Sequence, residues 1–168
     1  MSTPIEIERK FVIAMPDVSA LSAIDGYSAS DIDQTYLSSA PHVTRRVRAR
    51  SYSDHTVYTE TKKVRIDKMS ALEDEREITE SEYADLLREI AEGTVTLRKT
   101  RHTFPYFGRT VEIDIYPDWQ KSCILEVELK SEDEELILPD FIRVIKEVTG
   151  DRRYSNASMS REFPTELI

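Results

Sequence analysis

The sequence predicts an α+β domain centred on a β-barrel whose interior is charged. Two observations carry this. Most of the chain alternates with period two, the signal of a strand, and only three segments show helical periodicity. The polar faces of the strands are also not random mixtures. Strand by strand they are blocks of one charge sign, and aligned like charges repel on a face that is merely solvated. Such blocks make sense where they converge on a polyvalent ligand, with basic blocks taking phosphate oxygens and acidic blocks holding divalent cations. The apolar faces then point outward, beneath amphipathic helices, which gives a barrel with a polar lumen.

In chain order, residues 5–11 place Glu6, Glu8 and Lys10 on one face and Ile5, Ile7, Arg9 and Phe11 on the other. Residues 16–24 read as a short helix. Residues 44–50 put Arg46, Arg48 and Arg50 together, and residues 58–62 put Tyr58, Glu60 and Lys62 together. Glu73, Glu75 and Glu77 alternate with Asp74 and Arg76 just before Ile78. Residues 81–92 form the clearest helix, with Tyr83, Leu86, Leu87 and Ile90 on one stripe, Ser81 as cap and Gly93 as stop. Residues 97–101 then align Lys99 with Arg101, and residues 111–115 set Glu112 and Asp114 against Val111, Ile113 and Ile115. Residues 125–130 set Glu126, Glu128 and Lys130 against Leu125, Val127 and Leu129. A third helix is expected at residues 139–149, where Phe141, Ile142, Ile145 and Val148 share a face ahead of Gly150.

Composition narrows the function. The chain has 168 residues, enough for a single domain spanning 1–168. Its 23 basic and 32 acidic residues give a net charge of −9, which argues against general nucleic-acid binding. The longest apolar run is far short of a membrane span, no secretory signal is visible, and Cys123 is the only cysteine. A cytoplasmic protein without disulfides or a cysteine-rich zinc site is expected. The four glycines form neither a P-loop nor a dinucleotide fingerprint, so any phosphate site must be built from side chains.

The motifs also resemble a known family. Glu6-x-Glu8-x-Lys10 is similar to the E-x-E-x-K signature of the CYTH superfamily, the triphosphate tunnel metalloenzymes. The resemblance continues in order through Gln34-Thr35-Tyr36-Leu37, Arg46-Val47-Arg48, Thr59-Glu60-Thr61-Lys62 and Glu73-Asp74-Glu75-Arg76-Glu77-Ile78. Lys99-Thr100-Arg101, Glu112-Ile113-Asp114, Glu126-Val127-Glu128 and the tail Asp151-Arg152-Arg153-Tyr154-Ser155-Asn156 complete it. One such motif is weak evidence; nine in the right order are specific.

The resemblance implies an eight-stranded antiparallel tunnel with helices outside, and hydrolysis of a small-molecule triphosphate, with inorganic tripolyphosphate ranked first. It implies Mg²⁺ or Mn²⁺ as cofactor, held by Glu6, Glu8, Glu126 and Glu128. Lys10, Arg46, Arg48, Lys62, Lys99 and Arg101 are the expected substrate clamp, with Glu8, Lys10, Glu112 and Asp114 catalytic. The tail is expected to fold back towards one mouth of the tunnel. The alternatives are a class IV-type adenylate cyclase, a thiamine triphosphatase, and a non-catalytic polyphosphate or nucleotide binder. Neither nucleic acid nor membrane is expected as a partner, and a homodimer is compatible with the sequence.

Overall fold

The computed structural model describes residues 5–67 and 70–166. Among these residues nine strands and three short α-helices follow one another. They are β1 (Ile5–Ala14), α1 (Val18–Ser22), β2 (Ser28–Leu37), β3 (Val43–Ser51), β4 (Thr56–Arg65), β5 (Ser70–Ile78), α2 (Glu80–Leu86), β6 (Leu97–Tyr106), β7 (Arg109–Ile115), β8 (Ser122–Glu128), β9 (Val144–Glu147) and α3 (Asn156–Met159). The ring runs β1–β8–β7–β6–β2–β3–β4–β5, every neighbour antiparallel, and closes where Ile5–Ile7 pair with Leu72–Ser70. It is the closed eight-stranded antiparallel barrel expected above. No helix among the described residues is long and apolar enough to cross a membrane.

Antiparallel partners share a face. The register therefore sends Glu8, Lys10, Glu126 and Glu112 inward together, with Glu8 opposite Glu128, Lys10 opposite Glu126, and Glu112 opposite Glu126. The outward face of the same strands is apolar. Phe11, Ile13, Phe104, Val111, Ile113, Cys123, Leu125 and Val127 are buried there beneath Leu21 of α1, with Leu129 and Ile142. A second outer cluster of Leu37, Val47 and Ile78 lies under Tyr83, Leu86 and Leu87. The inward face turns apolar at one end. Val12, Leu97 and Ile124 meet Tyr116, Trp119, Val148, Tyr154 and Met159, so the tail plugs that end of the lumen.

Two helical readings are corrected. The helix expected at 81–92 is α2, shorter and starting one residue earlier. Thr79 and Glu82 form a reciprocal capping box, so the start is Thr79 rather than Ser81, and a 3₁₀ turn at Leu87–Glu89 ends it. The helix expected at 139–149 does not form. Val144–Glu147 is strand β9, pairing with Phe11–Ile13 of β1. The physical reason lies in the partner. β5 covers only the first three residues of that edge of β1, and the rest would present unpaired backbone. Ile142, Val144, Ile145 and Val148 are β-branched and favour the extended form that fills the gap.

Candidate active site

A cavity of about 520 Å³ occupies the polar half of the barrel. Its circumference divides by charge. The strands β7, β8, β1 and β5 are contiguous in the ring and contribute Glu112, Glu126, Glu128, Glu8, Glu73 and Glu75, with Lys10 among them. The remaining arc, β4, β3, β2 and β6, contributes Lys63, Arg65, Arg46, Arg48 and Arg101. An acidic chain thus concentrates five cations on one wall.

The basic arc is held open by neutral and acidic anchors. Arg48 is buried and donates through Nε and Nη2 to Gln34 Oε1 at 3.1 and 2.7 Å. Burial first, then the neighbouring Arg46 and Arg101 cations, lower its pKa to about 9. Arg46 has a buried Nε without a hydrogen-bond partner, an orphan donor in the wall of the cavity. Arg101 lies between Asp114, bound through Nε and Nη2 at 2.8 and 2.9 Å, and Glu112 at 3.2 Å. Burial opposes the Arg101 cation, but Asp114 and Glu112 outweigh it and raise its pKa well above the usual value.

The acidic arc contains a paired carboxyl. Burial opposes ionisation of Glu126, yet the Lys10 ammonium at 3.5 Å and a hydrogen bond with Glu8 outweigh it and bring its pKa to about 2. Two carboxyls that share a hydrogen bond cannot both ionise without a cation beside them. The donor set of Glu8, Glu126 and Glu128 is all hard oxygen, which suits Mg²⁺ or Mn²⁺. Among the described residues, no three acidic, histidine or cysteine side chains form a preassembled metal cluster. The side chain of Glu6, the fourth expected ligand, lies outside the described residues.

Three expected site residues are placed differently. Lys62 is exposed on the outside, and Lys63 is the lysine of β4 that lines the cavity, following Thr61 on the inward face. The outer face around Lys62 is an ion-pair surface, with Glu60 bound to Arg45 at 3.1 Å and Arg76 at 2.7 Å. Lys99 points inward but is wholly buried, contacting Asp114 at 2.7 Å and donating to Asn156 Oδ1 at 3.3 Å. Burial first, and the Arg101 and Arg48 cations after it, bring its pKa down to about 7 despite Asp114. Asp114 is equally buried. Burial opposes its ionisation, but Arg101 and Lys99 hold it far below the usual carboxylate range. It anchors cations and does not face the cavity. Arg50 shares the face of Arg48 but donates to Ser30 Oγ at 2.7 Å.

The cavity also holds groups to which sequence reasoning assigned no site role: Arg65 of β4, and, from motifs already noted, Tyr36 of β2 and Arg152, Ser155 and Asn156 of the tail. Arg153 beside them is held by Asp151 at 2.6 Å. The tail reaches the cavity because Tyr116 Oη and Lys99 Nζ both donate to Asn156 Oδ1, and Lys10 Nζ donates to the Tyr154 carbonyl.

No family model matches the sequence. The inorganic triphosphatase of Acetivibrio thermocellus is 30% identical over 159 residues, which cover 92% of each chain. The chain belongs to the CYTH superfamily of triphosphate tunnel enzymes. The crystal structure of the inorganic triphosphatase NE1496 superimposes with a TM-score of 0.60 at 28% identity, covering 95% of this chain and 96% of that one. The PH1819 protein from Pyrococcus horikoshii shares the fold, with a TM-score of 0.57 at 23% identity over 77% of this chain and 81% of that one.

Proposed function

We propose that this CYTH protein hydrolyses inorganic tripolyphosphate to pyrophosphate and phosphate with Mg²⁺ or Mn²⁺. The observation that carries this reading is the split lumen, a basic arc facing an acidic one around a cavity of about 520 Å³. The family membership supports the same reaction class.

Arg46, Arg48, Lys63 and Arg101 grip phosphate oxygens from one side. Arg supplies a planar two-donor fork and Lys a compact charge. These groups are already oriented, so they stabilise the charge that develops on the transferring phosphoryl group without rearrangement. Glu8, Glu126 and Glu128 would hold the cation, which supplies Lewis-acid charge to the phosphate oxygens. Lys10 sits within the acidic arc and neutralises Glu126 until substrate arrives. Glu112 stands at the seam between the arcs, against Arg101, where its carboxylate can orient water beside a phosphate held by that arginine. Asp114 acts through Arg101 as a positioning residue.

The cyclase alternative needs a purine pocket. The lining is overwhelmingly charged and polar, which favours phosphate chains over bases. The test compares tripolyphosphate, ATP, thiamine triphosphate and pyrophosphate under Mg²⁺ and Mn²⁺, with phosphate and cyclic AMP measured separately. Phosphate release should be fastest from tripolyphosphate and vanish in excess EDTA. Turnover that survives EDTA removes the metal from the reaction, and cyclic AMP as main product replaces hydrolase by cyclase.

A further inference from the structure

The side chains of Gln34, Tyr36, Arg46 and Arg48 form two adjacent rungs of the β2–β3 ladder, Gln34 opposite Arg48 and Tyr36 opposite Arg46. Gln34 is fully buried. Its Oε1 accepts two bonds from Arg48, and its Nε2 donates to Tyr36 Oη at 2.6 Å. A guanidinium carries donors only, so the amide must present its oxygen to Arg48. Its nitrogen is thereby forced towards Tyr36.

The Tyr36 oxygen accepts that bond, with Arg46 opposite it on the neighbouring strand. A hydroxyl that accepts from the amide on one side still has its proton to offer on the other. Tyr36 lines the cavity, and no described residue accepts from it. We infer that Gln34 is a positioning residue that sets the hydrogen-bond polarity of this wall, holding Tyr36 as a donor to a substrate phosphate oxygen and Arg48 in a fixed fork beside it. The inference rests on the triphosphate reading above. It makes Tyr36 a neutral donor within the basic arc and explains why a buried amide is placed among cations.

The test reverses the polarity with an isosteric change. Gln34→Glu offers acceptors only. Arg48 keeps its anchor, while the Tyr36 proton turns to the new carboxylate and away from the cavity. KM and kcat for tripolyphosphate with Mg²⁺ are measured for the wild type, Tyr36→Phe, Gln34→Glu and the double variant. In the wild-type background Tyr36→Phe should raise KM about 10-fold. In the Gln34→Glu background the same change should move KM by less than about twofold, since the donor has already been withdrawn.

Equal costs in the two backgrounds overturn the inference, because a merely structural Gln34 leaves the Tyr36 contact in place. Calorimetric titration of tripolyphosphate into metal-free protein gives a second reading that does not depend on Gln34→Glu folding. Tyr36→Phe should bind about 10-fold more weakly, and unchanged affinity overturns the donor role. A wild type that neither binds nor hydrolyses tripolyphosphate removes the functional reading and the inference together. A wild type that does both, with equal Tyr36→Phe costs, removes the inference alone.

Discussion

Lys62 and Lys63 are neighbours in sequence and opposites in space. A strand turns successive side chains to opposite faces, so one residue of register decides which lysine meets substrate. Tyr58 is the signal that decides it. It is packed outside against Tyr83, with ring centroids 5.1 Å apart, and every second residue after it is outward too. Lys63→Ala should raise the KM for tripolyphosphate about 10-fold, and Lys62→Ala should stay within about twofold, both by steady-state kinetics. Asp114 gives a second residue-level prediction. Removing its charge leaves Arg101 and Lys99 buried together, so Asp114→Asn should cost about 3–5 kcal/mol at neutral pH in denaturant unfolding. The folded pKa of Asp114 lies below its ordinary 3.8, so its contribution is fully present above that value and is lost as pH falls below it. The gap between variant and wild type should therefore narrow on acidification below about 3.8; a constant gap would show that the carboxylate charge is not what anchors the cations.

At the scale of elements, the strands were legible because alternation is local, and the sign of each charged face was legible because a barrel sends one face of every strand to the same place. The expected ligands Glu8, Glu126 and Glu128 and the arginines Arg46, Arg48 and Arg101 all line one cavity for this reason. Less legible were features fixed by distant partners. The stripe at residues 141, 142, 145 and 148 fits a helix, and the extended form wins only because β1 has an open edge that residues 144–147 can fill. Lys99 sits on the inward face as its alternation requires, but no pattern within β6 shows that Asn156 and Tyr116, far along the chain, seal it from the cavity. The tail that does so is predicted to be a structural element as well as a lining one. Tyr154 is 3% exposed and packs with Val12, Ile124 and Trp119 at the end of the lumen. Tyr154→Ala should lower stability by about 3 kcal/mol through the cavity it leaves. If the melting temperature is unchanged, the plug is not part of the folded core.

For the whole molecule, the separation of charge that makes the site also strains the empty protein. Net charge is −9, yet Arg46, Arg48 and Arg101 face one cavity, where burial first and the Arg46 and Arg101 cations after it bring the Arg48 pKa down to about 9. A lowered cation pKa means that the fold disfavours the charged form, and Arg48 is charged at pH 7, so that penalty is present throughout the working range. A neutral side chain of similar length removes it. Arg48→Met should thus melt no lower than the wild type without ligand, the usual direction when a residue is retained for binding rather than stability. With tripolyphosphate and Mg²⁺ at about 100 times the dissociation constant, binding should stabilise the wild type by about 2.7 kcal/mol. For a chain of this length that corresponds to a rise of roughly 5–10 °C. Arg48→Met should lose most of this rise while its unliganded melting temperature stays no lower, because it removes a two-donor contact to the anion together with the repulsion. The two melting curves, with and without ligand, separate the effects. A variant that melts well below the wild type without ligand would mean that the bond from Arg48 to Gln34 outweighs the repulsion. A variant that keeps the full ligand-induced rise would mean that the basic arc is not where the phosphate chain lies.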